Sequence, residues 1–333
     1  MEPPFVSILI PIRNEAVYIE RCLAAVLNQD FPPGRMEILI ADGMSDDGTR
    51  QKLQAFAEQH TIIQVIDNPK HIVAAGLNLL TQHAGGEILI RVDGHCIIAP
   101  DYVSKCVDHL QTGNIDGVGG PMHSIGEDTI SSAIALAMSS KFGVGGSAFR
   151  TETGQTKLVD TVPFPAYTRA IIDKVGPYDE ELVRNQDDEY NYRIRKAGGK
   201  ILLAADVGSI YYSRGSLRGL WRQYFQYGFY KVRVLQIHPR QMSPRQFIPP
   251  AFVLVLLTSI LLAFFFSWGW LVLLAITGMY VFANLTAALL TAKRTGWQYL
   301  WLLPITFATL HISYGTGFLI GLIRFIHRWQ DNN

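Results

Sequence analysis

Two stretches of the chain place acids where they ask for a chemical explanation. In "ILIRVDGHCIIAP" (88–100) an apolar run stops at Asp93, and His95 stands two residues on, where a second carboxylate would complete an Asp-x-Asp pair. Together Asp93 and His95 can ligate a divalent ion, since carboxylate oxygens suit Mg²⁺ or Mn²⁺ and an imidazole nitrogen suits Mn²⁺ better than Mg²⁺. The alternative for His95 is an imidazole that hydrogen-bonds backbone at a strand end. In "NQDDEYNYRIRKAGG" (185–199), Asp187 and Asp188 open a short helix. A carboxylate there can act as a general base, or it can do no more than favour the positive end of the helix macrodipole.

The elements that must hold these groups follow from hydrophobic periodicity. "FVSILIPI", "MEILIADG", "IIQVID" and "EILIRVDG" read as buried strands, separated by the helical segments "NEAVYIERCLAAVLNQ", "DDGTRQKLQAFAEQH" and "HIVAAGLNLLTQHA". In the first helix Val17, Cys22, Leu23, Val26 and Leu27 form the expected apolar side. Strands alternating with helices of this length predict a parallel sheet covered on both faces, with ligands at the carboxyl ends of the strands. That edge gathers Pro11, Arg13, Asn14 and Glu15, then Asp42, Ser45, Asp46 and Asp47, then Asp93 and His95. A nucleotide site is the natural expectation, although neither a P-loop nor a dinucleotide fingerprint is present. Turn chemistry and helix capping account equally for Ser45, Asp46, Asp47 and Thr49. Lys70 and Asn78 lie on the third crossover. The Gly- and Ser-rich stretch after Asp116 predicts a mobile region around a helix at 130–139, of the kind that forms substrate lids.

Composition divides the chain of 333 residues. From Phe247 onward the only charged residues are Lys293, Arg294, Arg324, Arg328 and Asp331. Three stretches, 247–266, 270–290 and 300–323, reach the roughly 20 apolar residues needed to cross a bilayer. Tryptophans and tyrosines flank them, as interfacial aromatics do. The expected parts are therefore a polar domain over 1–212, a basic segment over 213–246 and transmembrane helices over 247–333. The acid early in "MEPPFVSILIPIRNE" and its short apolar run argue against a signal peptide, which keeps the polar domain in the cytoplasm and the chain in the cell (inner) membrane. Cys22, Cys96 and Cys106 fit reduced thiols in a core. The basic segment carries seven Lys or Arg and no acid; Leu217, Leu220, Trp221, Tyr224 and Phe225 share one helical face and Arg218 and Arg222 another, the pattern of a helix in a membrane interface. Three crossings leave one conflict: Lys293 and Arg294 fall inside, while Arg324 and Arg328 fall outside, against the positive-inside rule.

Taken together, "ILIPIRNE", "ILIADGMSDDGT", "LIRVDGH" and "NQDDEYNYRIRKAGG" resemble, in order, the signature segments of family 2 glycosyltransferases. The Val-Asp-x-His form followed by apolar spans is similar to the bacterial exopolysaccharide type, the succinoglycan glucosyltransferases among them. The resemblance implies an α/β GT-A fold, a Rossmann-like mixed sheet, ahead of the C-terminal helices. It also implies an inverting transfer of one sugar from a UDP-sugar to a lipid-linked (polyprenyl-diphosphate) acceptor. Pro11, Arg13, Glu15, Asp42, Asp46, Lys70, Asn78 and Asp93 would then bind the nucleotide-sugar, with Asp42 near the base. Asp93 and His95 would hold Mn²⁺ or Mg²⁺. Asp187, six residues before Arg193, would be the base, with Asp188 as the alternative; Gln186 departs from the Glu of the family pattern. Arg222, Gln223 and Tyr224, in "WRQYFQYG", loosely match an acceptor motif of processive synthases, and the basic segment would hold an acceptor's pyrophosphate. The membrane and other polysaccharide-assembly proteins are the expected partners, and no nucleic acid is. A processive synthase and a noncatalytic sugar-nucleotide-binding scaffold are the competing functions.

Overall fold

The computed structural model describes residues 5–151 and 154–329. Glu2 and Asp331, used above for the leader and the charge pattern, lie outside the described residues. The chain forms two compact units: residues 1–123 with 148–211, and residues 124–147 with 212–333. The first unit ends at 211, and the stretch 124–147, expected as a lid within the polar domain, clusters with the second unit.

The first unit begins with β1 (Val6–Ile12), α1 (Ile19–Leu27), β2 (Met36–Asp42), α2 (Thr49–Gln59), β3 (Ile63–Asp67), α3 (Val73–His83) and β4 (Ile88–Arg91). β5 (Cys96–Ile98), α4 (Tyr102–Thr112), β6 (Gly117–Gly119) and β7 (Met122–Ile125) follow. After α5 (Thr129–Met138) and α6 (Lys141–Val144), which belong to the second unit, the chain continues through α7 (Ala148–Thr151), β8 (Lys157–Leu158), β9 (Ala166–Thr168) and α8 (Arg169–Val175). It then forms α9 (Gln186–Lys196), β10 (Ile201–Leu203) and β11 (Ser209–Tyr212).

The main sheet has the order β3-β2-β1-β4-β9-β6-β10-β8. β1, β2, β3 and β4 run parallel, whereas β9 pairs antiparallel with β4 and β6, and β8 with β10. The sheet is thus mixed, and the antiparallel β9 is the departure from simple strand–helix alternation. β1 is buried at all seven positions, as a central strand covered on both faces must be. Below the sheet, Leu9, Leu39, Leu77, Leu80, Leu89 and Tyr167 pack with Ile171, Tyr190 and Ile194 in one core. Strand order reverses between β1 and β4, so the crevice outside their carboxyl ends is where a doubly wound sheet takes its ligand.

One local expectation changes. α1 starts at Ile19, and Val17 is 69% exposed instead of joining Cys22, Leu23 and Val26 in the core. Residues 14–16 are held back by the facing loop: Asn14 N–H donates to Ser45 Oγ, Glu15 N–H to Thr49 Oγ1 and Ala16 N–H to Asp47. Those bonds hold the chain out of the helix for one more turn.

The second unit contains α5, α6, α10 (Leu217–Ile237), α11 (Ile248–Phe265), α12 (Gly269–Thr295) and α13 (Leu303–Arg324). By length and composition α11, α12 and α13 can each cross a membrane.

Candidate active site

The loop after β1 is shaped by Asn14, which holds φ +58°, a conformation that costs a non-glycine residue energy and clusters at functional sites. Its side chain exchanges bonds with Asp46: Nδ2 donates to Asp46 Oδ1 and Oδ1 accepts the Asp46 N–H. The loops after β1 and β2 are in this way knitted together, with Arg13 and Asp46 exposed and Pro11 buried in β1.

Asp42 ends β2 with its side chain fully buried. Ser45 donates to Oδ1 from both N–H and Oγ, the latter at 2.6 Å, and Arg50 of α2 reaches Oδ2 at 3.2 Å. Arg50 also pairs with Asp67 at the end of β3, and the two carboxylates, Asp67 first, raise the guanidinium above its ordinary value. A fully buried carboxylate needs such partners, because an uncompensated charge out of water is costly.

At the reversal point, Glu15 after β1 meets His95 after β4, with Glu15 Oε1 2.9 Å from Nδ1. The two elements approach so closely that a Cβ on Gly94 would lie 2.7 Å from Ile12 Cγ2, which accounts for glycine between Asp93 and His95. The His95 ring also packs edge-on to Tyr211, with centroids 4.9 Å apart. When Nδ1 carries the proton donated to Glu15, Nε2 is left as the lone-pair nitrogen, the arrangement that fixes metal-binding histidines.

Arg91, the last residue of β4, joins the two acid groups. Its Nε and Nη2 both lie 2.9 Å from Asp93 Oδ1, and its Nη1 is 3.7 Å from Asp187 Oδ2 on α9. Burial alone would lower the Arg91 pKa, but Asp93 and then Asp187 outweigh it and hold the guanidinium above its ordinary value. Asp187 is the second residue of α9, whose N-cap Asn185 is another non-glycine residue at positive φ (+63°), and its Oδ1 accepts the Asp188 N–H. Within α9, Glu189 holds Arg193 at 2.7 Å, and Tyr190 stacks on Tyr178 at 3.9 Å between centroids. Arg193 also donates to the Val175 and Pro177 carbonyls, which ties α9 to the end of α8 and the segment that follows it.

Of the residues singled out from sequence, the structure gathers Glu15, Asp93, His95 and Asp187 around Arg91 and the β1/β4 crevice. Lys70 and Asn78 meet at a different point: both bond Glu180, and Asn78 also exchanges bonds with the Tyr178 backbone. Arg222, Gln223 and Tyr224 lie on α10 in the second unit; Arg222 is exposed, and Gln223 and Tyr224 are buried. Sequence reasoning missed Arg91, Arg50 and Glu180. The available signal for Arg91 was a lone charge in an otherwise apolar strand.

Among the described residues no cluster of three or more His, Cys, Asp or Glu is placed to hold an ion. The donor set nevertheless fits a partly protein-held divalent cation. Asp93 Oδ1 is taken by Arg91 and His95 Nδ1 by Glu15, while Asp93 Oδ2 and His95 Nε2 have no hydrogen-bond partner among the described residues. One oxygen and one nitrogen are thus left oriented and available.

Comparison with known proteins agrees with this geometry. A family profile described as glycosyl transferase family 2 matches residues 7–176, a span that carries the loops after β1, β2 and β4 and ends before α9. The succinoglycan biosynthesis protein ExoA of Rhizobium meliloti (strain 1021) is 36% identical over 230 residues, 66% of this chain and 67% of its own length. A dolichyl N-acetyl-alpha-D-glucosaminyl phosphate 3-beta-D-2,3-diacetamido-2,3-dideoxy-beta-D-glucuronosyltransferase of Methanococcus voltae is 29% identical over 332 residues, covering 96% of this chain and 98% of its own. The solved mannosyltransferase PcManGT of Pyrobaculum calidifontis, in complex with GDP-Man and Mn²⁺, shares the GT-A fold at TM-score 0.61 and 19% identity, covering 97% of this chain and 88% of its own. With the mixed sheet, the acids at its reversal point and these relatives in agreement, the chain belongs to glycosyl transferase family 2 and is a glycosyltransferase of glycan biosynthesis.

Proposed function

We propose that this enzyme is an inverting transferase that moves one sugar from a UDP-sugar to a lipid-linked acceptor carrying a diphosphate, with its catalytic unit on the cytoplasmic side of the cell membrane. The observation that carries the reading is Arg91, which links the cation-ligand candidate Asp93 to the base candidate Asp187.

Transfer with inversion is a single displacement in which the acceptor hydroxyl attacks the anomeric carbon as the donor diphosphate leaves. Asp187 takes the hydroxyl proton on Oδ2, the oxygen facing Arg91, while Oδ1 stays fixed by the Asp188 N–H. Arg91, with Nη1 3.7 Å from Oδ2, holds the Asp187 carboxylate toward the end of β4. Asp93 and His95 would hold Mn²⁺ or Mg²⁺, which when bound supplies Lewis-acid stabilisation of charge on the leaving diphosphate. Glu15 holds the His95 ring in place, and the knitted loops of Asn14, Asp42, Ser45 and Asp46 form the nucleotide side of the crevice.

The UDP donor is supported by fold neighbours such as S. aureus TarS 1-349, solved in complex with UDP-GlcNAc, at TM-score 0.50 and 15% identity. The lipid-linked acceptor is supported by the dolichyl phosphate in the name of the Methanococcus voltae relative and by the apolar helices.

The test is UDP release by the full chain in detergent, supplied with UDP-sugars, Mn²⁺ and a polyprenyl-diphosphate-sugar extract. Asp187→Asn should abolish release and leave UDP binding by calorimetry intact; unchanged turnover would remove Asp187 as the base. A product ladder on a gel would replace single addition by processive synthesis, and UDP binding without transfer to any acceptor would leave a scaffold.

A further inference from the structure

Within the second unit, α13 does not run beside the α11–α12 hairpin. The level of the hairpin is set by Phe252 on α11 and Tyr280 on α12, whose rings stack at 4.4 Å. Along α13, the Pro304 carbonyl accepts from Asn284 Nδ2, and His311 Nδ1 lies 3.0 Å from the Tyr280 hydroxyl Oη. Further on, a Cβ on Gly315 would lie 2.5 Å from the Pro249 carbonyl and 2.6 Å from Val253, and the Phe318 ring meets Phe247 at 5.9 Å. From Pro304 to Phe318 the helix advances about 21 Å at 1.5 Å per residue. Its partners meanwhile stay within about five residues, or about 8 Å, of the Phe252–Tyr280 level, and the last is no nearer the turn than the first. A third span packed along the hairpin would instead have met partners ever farther along α11 or α12.

α10 accompanies α13. A Cβ on Gly317 would lie 2.1 Å from the Phe225 carbonyl and one on Gly321 2.7 Å from the Phe229 carbonyl; from the other side, one on Gly228 would lie 2.1 Å from the Tyr314 carbonyl. Pairing 225 with 317 and 229 with 321 means that the two helices run parallel, and Gln236 Nε2 closes the far end on the Phe325 carbonyl. Small residues spaced four apart permit this backbone approach. With α5, α6 and α11 also packed on α13, 44% of its apolar stretch is buried, against 22% for Pro244–Phe265 and 11% for α12.

We infer that the chain crosses the membrane twice, through α11 and α12, and that α10 and α13 form a paired layer lying in one bilayer interface across the base of that hairpin. From the Phe252–Tyr280 level to the turn is about 21 Å, and a helix adds about 10 Å of width, which together match a hydrocarbon core of about 30 Å. The aromatics sort accordingly. Phe266, Trp268 and Trp270 are exposed at the turn, and Trp221, Trp297 and Trp301 are exposed near the base, the two belts expected at opposite interfaces. The charges sort as well: Arg218 and Arg222 on α10, Lys293 and Arg294 in the last turn of α12, and Arg324 and Arg328 at and beyond the end of α13 fall on one side, where three crossings would divide them. Exposed Arg218, Trp221 and Arg222 then face a lipid headgroup layer, which basic residues favour when it is anionic. His311 sits at interface depth, where a polar side chain is far less costly than at the bilayer centre.

The inference does not depend on sugar transfer, and neither does its test. Single cysteines are placed in the full chain at exposed Ser267→Cys, Thr295→Cys and His327→Cys, and labelled with a membrane-impermeant maleimide in intact cells and in inverted vesicles; the native Cys22, Cys96 and Cys106 are buried. The expected result is that 295 and 327 label from one side and 267 from the other. Labelling of 327 from the same side as 267 would overturn the inference. If a variant fails to assemble, fluorophores at Ile305→Cys, Ile312→Cys and Ile320→Cys in lipid vesicles give an independent reading by depth-dependent quenching. An in-plane α13 places all three at similar shallow depth, whereas a spanning helix puts position 312 deeper than its neighbours by roughly 10 Å.

Discussion

Two parts of the same sheet edge are built to opposite ends. Around Asp42 both carboxylate oxygens are engaged, Oδ1 by Ser45 and Oδ2 by Arg50, and Arg50 is closed in turn by Asp67. Around Arg91 engagement stops halfway: Asp93 is bonded through Oδ1 and His95 through Nδ1, and the second atom of each is left over. A buried network with every member satisfied fixes a shape, whereas Asp93 and His95 are part-exposed, at 24% and 13%, and their second atoms can meet a ligand from solvent. Under the proposed function the first region is a rigid recognition wall, and the second is where donor, cation and acceptor would meet.

The sharpest way to break that contrast is Asp187→Asn, for which transfer should fall by about 10²–10⁴, the usual contribution of a general base, with donor binding retained in calorimetry. Next, Arg91→Met leaves Asp93 and Asp187 without their shared cation; because those carboxylates are 24% and 45% exposed, water screens what remains and the loss is about 1–3 kcal/mol. Thermal unfolding of the full chain should show it as a drop of about 2–6 °C. A smaller effect is expected at Glu15→Gln, which weakens the anchor of His95: the Mn²⁺ concentration for half-maximal activity should rise about 10-fold or more, as loss of an outer partner does. An unchanged Mn²⁺ titration would mean that His95 has no metal to orient.

The smallest effect lies away from both regions. Lys70 first, then Asn78, hold the Glu180 carboxyl below its ordinary 4.5. A depressed carboxylate contributes stability above its unfolded pKa and loses it as pH falls through the folded value. Stability should therefore decline below pH 4.5, and Glu180→Gln should flatten part of that decline in acid unfolding curves.

Much of the first unit was legible because its signals are local. Apolar runs ending in Pro11, Asp42 and Asp93 gave the strands and the ligand edge, and the acids opening α9 gave Asp187. Arg91 was not, since a charge in a strand says nothing of a partner on a distant helix. The start of α1 was missed for a similar reason: Val17 fits a helical pattern, but bonds from Ser45, Asp47 and Thr49 hold that turn out of the helix. In the second unit, length and apolarity showed which helices can enter a bilayer, not how they lie. The clue was Gly317-x-x-x-Gly321 together with the charges after α13, which conflict with three crossings.

The central claim, that Asp93 and His95 hold the divalent ion beside the base, is tested most directly by pulsed EPR of Mn²⁺ bound to the full chain with UDP. Nitrogen coupling from one imidazole should be present in the wild type and absent in His95→Ala. Mn²⁺ that binds without nitrogen coupling, or a coupling that survives the substitution, would contradict it.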